Sequence, residues 1–175
     1  SSSQYRKALL SRLQLPFVTQ SPDIDETPLA NEQAQQTAVR LARQKGEAIA
    51  SQHHDAIIIT SDQVATVDNT QIGKPGNHQN ALRQLQFMRG KEIIFHTALC
   101  VTDQRQNTPF PCQEINVQTF VKMRALSDEE FSHYLHIEQP YDCAGSAKNE
   151  GLGITLLEYV RSTDPTALTG LPLIA

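Results

Sequence analysis

At 175 residues and 39% hydrophobic side chains, the chain is long enough for one substantial core, or one domain with a smaller lobe, and too short for two independent domains. Its 15 basic residues against 19 acidic ones give a net charge of −4, which speaks against a protein that wraps DNA or RNA, because such proteins carry a dominant basic face. No run approaches the roughly 18 apolar residues of a membrane span and no charged-then-apolar leader opens the sequence; the three cysteines, Cys100, Cys112 and Cys143, form no C-x-x-C pair, so a cytosolic protein with reduced, core-packing thiols is expected.

The opening stretch SSSQYRKALLSRL predicts a serine-capped helix. One serine suffices for a cap, and Arg6 and Lys7 oppose the positive end of the helix dipole unless an anion sits there, which points to a phosphate site. LPFVT reads as a short strand, and SPDIDETPLANEQ as an acidic loop holding Asp23, Asp25 and Glu26. Ala38, Leu41, Ala42, Ala48 and Ile49 recur at helical spacing, with Arg40, Arg43, Lys45 and Glu47 interleaved. DAIIITSDQ predicts a strand buried on both faces and ending in Ser61 and Asp62. VATVDNTQIG reads as a hairpin turning at Asp68 and Asn69, closed by GKPG before the helix QNALRQLQFM. EIIFHTALCVTD and EINVQTFVKMR predict two longer strands, an antiparallel pair projecting from the main sheet. SDEEFSHYLHI begins with a capping box, Ser127 to Glu130; the loop CAGSAKNEGLG then leads to the strand ITLLEYV.

Several familiar motifs fail on inspection. DNTQIGKPG has Asp68 and Pro75 where a Walker loop needs glycine and a hydroxyl residue, and AGSAKNEG has Ala144 and Lys148 where a nucleophile elbow needs glycines. His133 and His136 stand one helical turn apart without a metalloprotease context and read as a solvated face; no histidine is assigned a catalytic role. Asp62, directly after a buried strand, suits either a loop-capping carboxylate or one facing a ligand at the carboxyl edge of an α/β sheet.

Taken together, SSSQYRKALLSRL, SPDIDET, RLARQK, SDQV, GKP, CAGSAKNEGLG and TGLPLI stand in an order that resembles the Maf nucleoside triphosphate pyrophosphatases over nearly the whole chain. The resemblance implies a single α/β domain over 1–175, two-lobed, with a central mixed twisted sheet flanked by helices and a smaller antiparallel extension. It also implies that the sequence is clipped at both ends, since a short apolar strand normally precedes the serines and a helix often follows GLPLI. Gln4 replaces a proline usual in the opening motif, which makes that loop less rigid. The implied reaction cuts a nucleoside triphosphate between its α and β phosphorus. Arg6, Lys45 and Lys74 would be its cations, and Ser1 and Ser3 would help hold phosphate. Read as residues alone, the lysines would be a helix-surface and a turn lysine. Glu26 and Asp62 match the family's acidic pair, holding Mg²⁺ or Mn²⁺, with Asp62 either accepting the proton of the attacking water or mainly binding metal. Tyr5, Gln63 and Glu150 match the branch acting on 7-methyl-GTP, whose cationic base suits an aromatic face and a carboxylate. The alternatives are a dTTP/UTP pyrophosphatase, a phosphatase releasing inorganic phosphate, and a non-catalytic nucleotide-binding regulator of cell division. A cytoplasmic homodimer without a nucleic-acid or membrane partner is implied.

Overall fold

The computed structural model describes residues 3–105 and 111–175. Among them the chain forms α1 (Gln4–Ser11), α2 (Ala34–Ala50), β1 (Ile57–Val67), β2 (Thr70–Ile72), α3 (His78–Met88), β3 (Glu92–Asp103), β4 (Cys112–Met123), α4 (Asp128–Glu138) and β5 (Leu157–Ser162). The strands make one sheet in the order β2-β1-β3-β4-β5, which with its helices gives the expected α/β class.

Local signals placed most of these elements. Ser3 caps α1 by accepting from the Arg6 amide, Asn77 caps α3, and Ser127 and Glu130 close the predicted capping box of α4. The β1–β2 turn falls at Asp68 and Asn69, both at positive φ (49° and 63°), as a two-residue primed turn demands.

Four expectations need correction. LPFVT forms no strand: Pro16 offers no N–H to a ladder, and Leu15 and Val18 lie exposed. β1 is not buried on both faces at its start, since Ile57 and Ile59 are 50% and 40% exposed while Ile58 is buried; the strand's two-residue period divides them. Asp62 does not end that strand, because β1 continues through Ala65 into the hairpin. The two long strands are not an appendage, because β3 lies between β1 and β4 in a sheet whose described pairings run antiparallel rather than mixed. Twelve residues at about 3.3 Å each give β3 and β4 a reach of roughly 40 Å, enough to be body strands.

The chain divides into two compact units. The first comprises 1–63, 96–117 and 164–175. In it Leu9, Leu99 and Leu171 form an apolar cluster that joins α1, β3 and the last segment, and Thr60 ties β1 to α2 by donating to the Ala42 carbonyl at 2.7 Å. The second comprises 64–95 and 118–163, where α3 packs on α4 over Leu85, Met88, Phe131 and Leu135, all buried. Of the cysteines, Cys100 is buried, Cys143 partly so and Cys112 exposed, so core packing describes the first alone.

Candidate active site

Within the first unit four charged residues, far apart in sequence, come together. Lys45 projects from the middle of α2 and is only 8% exposed, which rules out a helix-surface lysine. Its ammonium donates to Asp62 Oδ1 at 2.5 Å and pairs with Glu26 Oε1 at 2.8 Å. Asp62 is buried on β1, whereas the Glu26 side chain, on the acidic loop, is 59% exposed. A buried ammonium is tolerated because two carboxylates face it. Removal from water pushes the Asp62 carboxyl above its ordinary 3.8, against the pull of Lys45 and Arg6, and the nearby Glu26 adds to the rise. Burial lowers the Arg6 guanidinium, with Asp62 and Glu26 opposing; arginine nonetheless stays charged.

Arg6 owes its position to the end of the chain. Its Nε donates to the Gly170 carbonyl at 2.9 Å, and Ser61 Oγ donates to the same oxygen at 2.8 Å. Gln63 donates from Nε2 to the carbonyls of Ala167 and Leu168, both at 3.0 Å, and to Thr97 Oγ1 at 2.9 Å. These supports were missed in the sequence because backbone carbonyls carry no side-chain signature. The remaining signal was the Gly-Leu-Pro punctuation of TGLPLI.

The other expected residues fall as follows. Ser3 is the α1 cap, and Tyr5 is half-buried in the first turn of α1. Ser1 lies outside the described residues. Lys74 and Glu150 belong to the second unit, where both are exposed on loops. Those loops are linked: Gly145 N–H donates to the Gly73 carbonyl at 3.4 Å, and Gln84 bridges the Gly73 carbonyl and Ser146. The Glu150 loop is braced by Glu138, which accepts from the Leu152 amide and pairs with Lys148. Gly153 is required there, since a Cβ would stand 2.5 Å from the Lys148 carbonyl oxygen.

An α/β protein that gathers a guanidinium, an ammonium and two carboxylates beside a capped helix start has the layout of an enzyme for a multiply charged anion. The chain belongs to the Maf family: the family model described as Maf-like protein matches residues 1–175. It is 59% identical over 175 residues to a protein of Cupriavidus metallidurans, covering all of this chain and 86% of that one. It is likewise 58% identical to one of Ralstonia nicotianae and 55% to one of Nitrosospira multiformis, covering all of this chain and 89% and 87% of theirs. Each of the three is named 7-methyl-GTP pyrophosphatase.

Proposed function

We propose that this chain hydrolyses 7-methyl-GTP to 7-methyl-GMP and pyrophosphate, as its relatives' name describes, and does so as a single domain spanning 1–175. The observation that carries the proposal is the convergence of Arg6, Lys45, Glu26 and Asp62 in the first unit. A triphosphate bears several negative charges, so catalysis rests on fixed cations where charge develops and on a base for the water. In this reading Arg6 grips phosphate through its planar fork, and Lys45 offers an ammonium already oriented by two carboxylates. Lys74 is a further phosphate cation, with Ser1 and Ser3 assisting. Asp62 takes the proton of the water that attacks the α phosphorus.

The donor set of Glu26 and Asp62 is all oxygen and is aimed at one cationic point, which fits a hard divalent ion such as Mg²⁺ or Mn²⁺. When bound, such an ion would neutralise phosphate oxygens. For the base, Tyr5 supplies an aromatic face and Glu150 a carboxylate that accepts from guanine N–H groups and complements the methylated ring's charge. Gln63 serves less directly, because its amide nitrogen is engaged with Thr97, Ala167 and Leu168. Among the described residues no helix is long and apolar enough to cross a membrane. A cytoplasmic homodimer is a separate part of the proposal and rests on the family resemblance alone.

The test is a panel of 7-methyl-GTP, GTP, UTP and dTTP with Mg²⁺, scored for pyrophosphate. Cation stacking plus one carboxylate contact, together about 1–3 kcal/mol, should favour the methylated nucleotide over GTP by roughly 10- to 100-fold in kcat/KM. Faster cleavage of UTP or dTTP rejects the base assignment. Release of inorganic phosphate, or binding without product, rejects the reaction.

The raised Asp62 carboxyl sets the pH dependence. Once protonated it accepts nothing from water, so kcat/KM should fall as pH drops through a value raised above that of an ordinary aspartate. A profile flat down to pH about 4 would remove Asp62 as the base.

A further inference from the structure

A second cluster in the first unit stands on β3 and β4 and shares no residue with the site above. Cys100 Sγ and Cys112 Sγ are 3.5 Å apart, and Cys112 Sγ is 3.9 Å from Glu114 Oε1. One donor atom from each of the three lies within 4.8 Å of the others. The two-residue strand period puts Cys112 and Glu114 on one face of β4. Two thiolates on a tetrahedral ion at about 2.3 Å stand roughly 3.8 Å apart, so these sulfurs need little adjustment.

Charge balances as well. Two thiolates and a carboxylate carry three negative charges; a divalent ion offsets two and Arg43 the third. The Arg43 fork grips both Glu114 oxygens, at 2.5 and 2.6 Å, and each oxygen keeps a second lone pair for a metal. An open groove of about 450 Å³ lined by Arg43, Glu47, Thr102, Cys112 and Glu114 leaves room for a fourth ligand, water or the Glu47 carboxylate.

We propose that Cys100, Cys112 and Glu114 form a binding site for a thiophilic divalent cation of the zinc type, oriented by Arg43. Sulfur donors select a softer ion here than the all-oxygen pair of Glu26 and Asp62. On binding, both thiol protons leave to solvent and the sulfurs coordinate as thiolates.

The reduced full chain, titrated with Co²⁺ without oxygen, should develop a sulfur-to-cobalt charge-transfer band that saturates at one equivalent and is displaced by Zn²⁺. Cys112→Ser, at an exposed position, should abolish the band, whereas Cys143→Ser should leave it intact. Arg43→Gln should weaken Zn²⁺ binding by roughly 10- to 100-fold in a chelator competition. The proposal is overturned by the absence of the band, by its persistence in Cys112→Ser, or by a Cys100–Cys112 disulfide that binds no cobalt once reduced.

Discussion

Asp62→Asn should lower the rate of pyrophosphate release by roughly 10²- to 10⁴-fold, the usual worth of a positioned proton acceptor, while nucleotide still binds within about tenfold of the parent. The variant should fold, because Lys45 retains Glu26 as a partner. The pKa direction supports this. A carboxyl raised by burial holds its proton more tightly folded than unfolded, so it costs stability once pH has risen through the folded value; the neutral amide removes that cost. Melting temperature at neutral pH should therefore stay within a few degrees of the parent. Rate against Mg²⁺ concentration separates the two roles open to Asp62. If the carboxylate chiefly holds metal, saturating Mg²⁺ restores much of the rate; if it accepts the proton, no concentration does. Turnover within about threefold of the parent at ordinary Mg²⁺ would exclude both.

What the sequence disclosed and what it withheld divide along physical lines. The caps at Ser3 and Ser127 and the turn at Asp68–Asn69 act over two to four residues, so their chemistry could be read directly. The strand expected at LPFVT and the double burial expected of β1 depended on neighbours that the sequence does not name, and both failed there. The site shows the same split. Asp62 and Arg6 could be picked out as candidates one by one, from a strand run and a misplaced charge. Residue pattern alone makes Lys45 a helix-surface lysine and only the resemblance marks it as a site cation; the fold sets it between two carboxylates contributed by a loop and a strand. No spacing rule links residues 6, 26, 45 and 62; the family resemblance supplied that link. The supports at Ala167, Leu168 and Gly170 escaped even the resemblance-based assignment, because their functional atoms are main-chain oxygens.

Gly170→Ala, although no site side chain is altered, should cut kcat/KM by roughly 3- to 10-fold, below the loss of roughly 100-fold that a misplacement of about 1 Å can cause. Gly170 sits at φ +110°, a conformation that side chains rarely adopt, and a Cβ there would stand 3.2 Å from Arg6 Nε and 3.7 Å from Nη2. Something must yield, and the surrounding segment is poorly able to. Asp164 accepts from the Thr166 amide and hydroxyl and from the Ile174 amide, while Thr166 Oγ1 donates to the Leu171 carbonyl and accepts from the Leu173 amide. Gln63 and Thr97 hold the preceding carbonyls. The displacement, a few tenths of an ångström, therefore falls on Arg6 and loosens its bond to the acceptor it shares with Ser61. Backbone strain adds a stability cost of about 1–3 kcal/mol, so a lower melting temperature by itself does not establish positioning. A double-mutant cycle does. If Gly170 acts through Arg6, adding Gly170→Ala to Arg6→Ala should cost kcat/KM almost nothing further. Equal losses in the two backgrounds would mean that the glycine serves the fold and not the guanidinium.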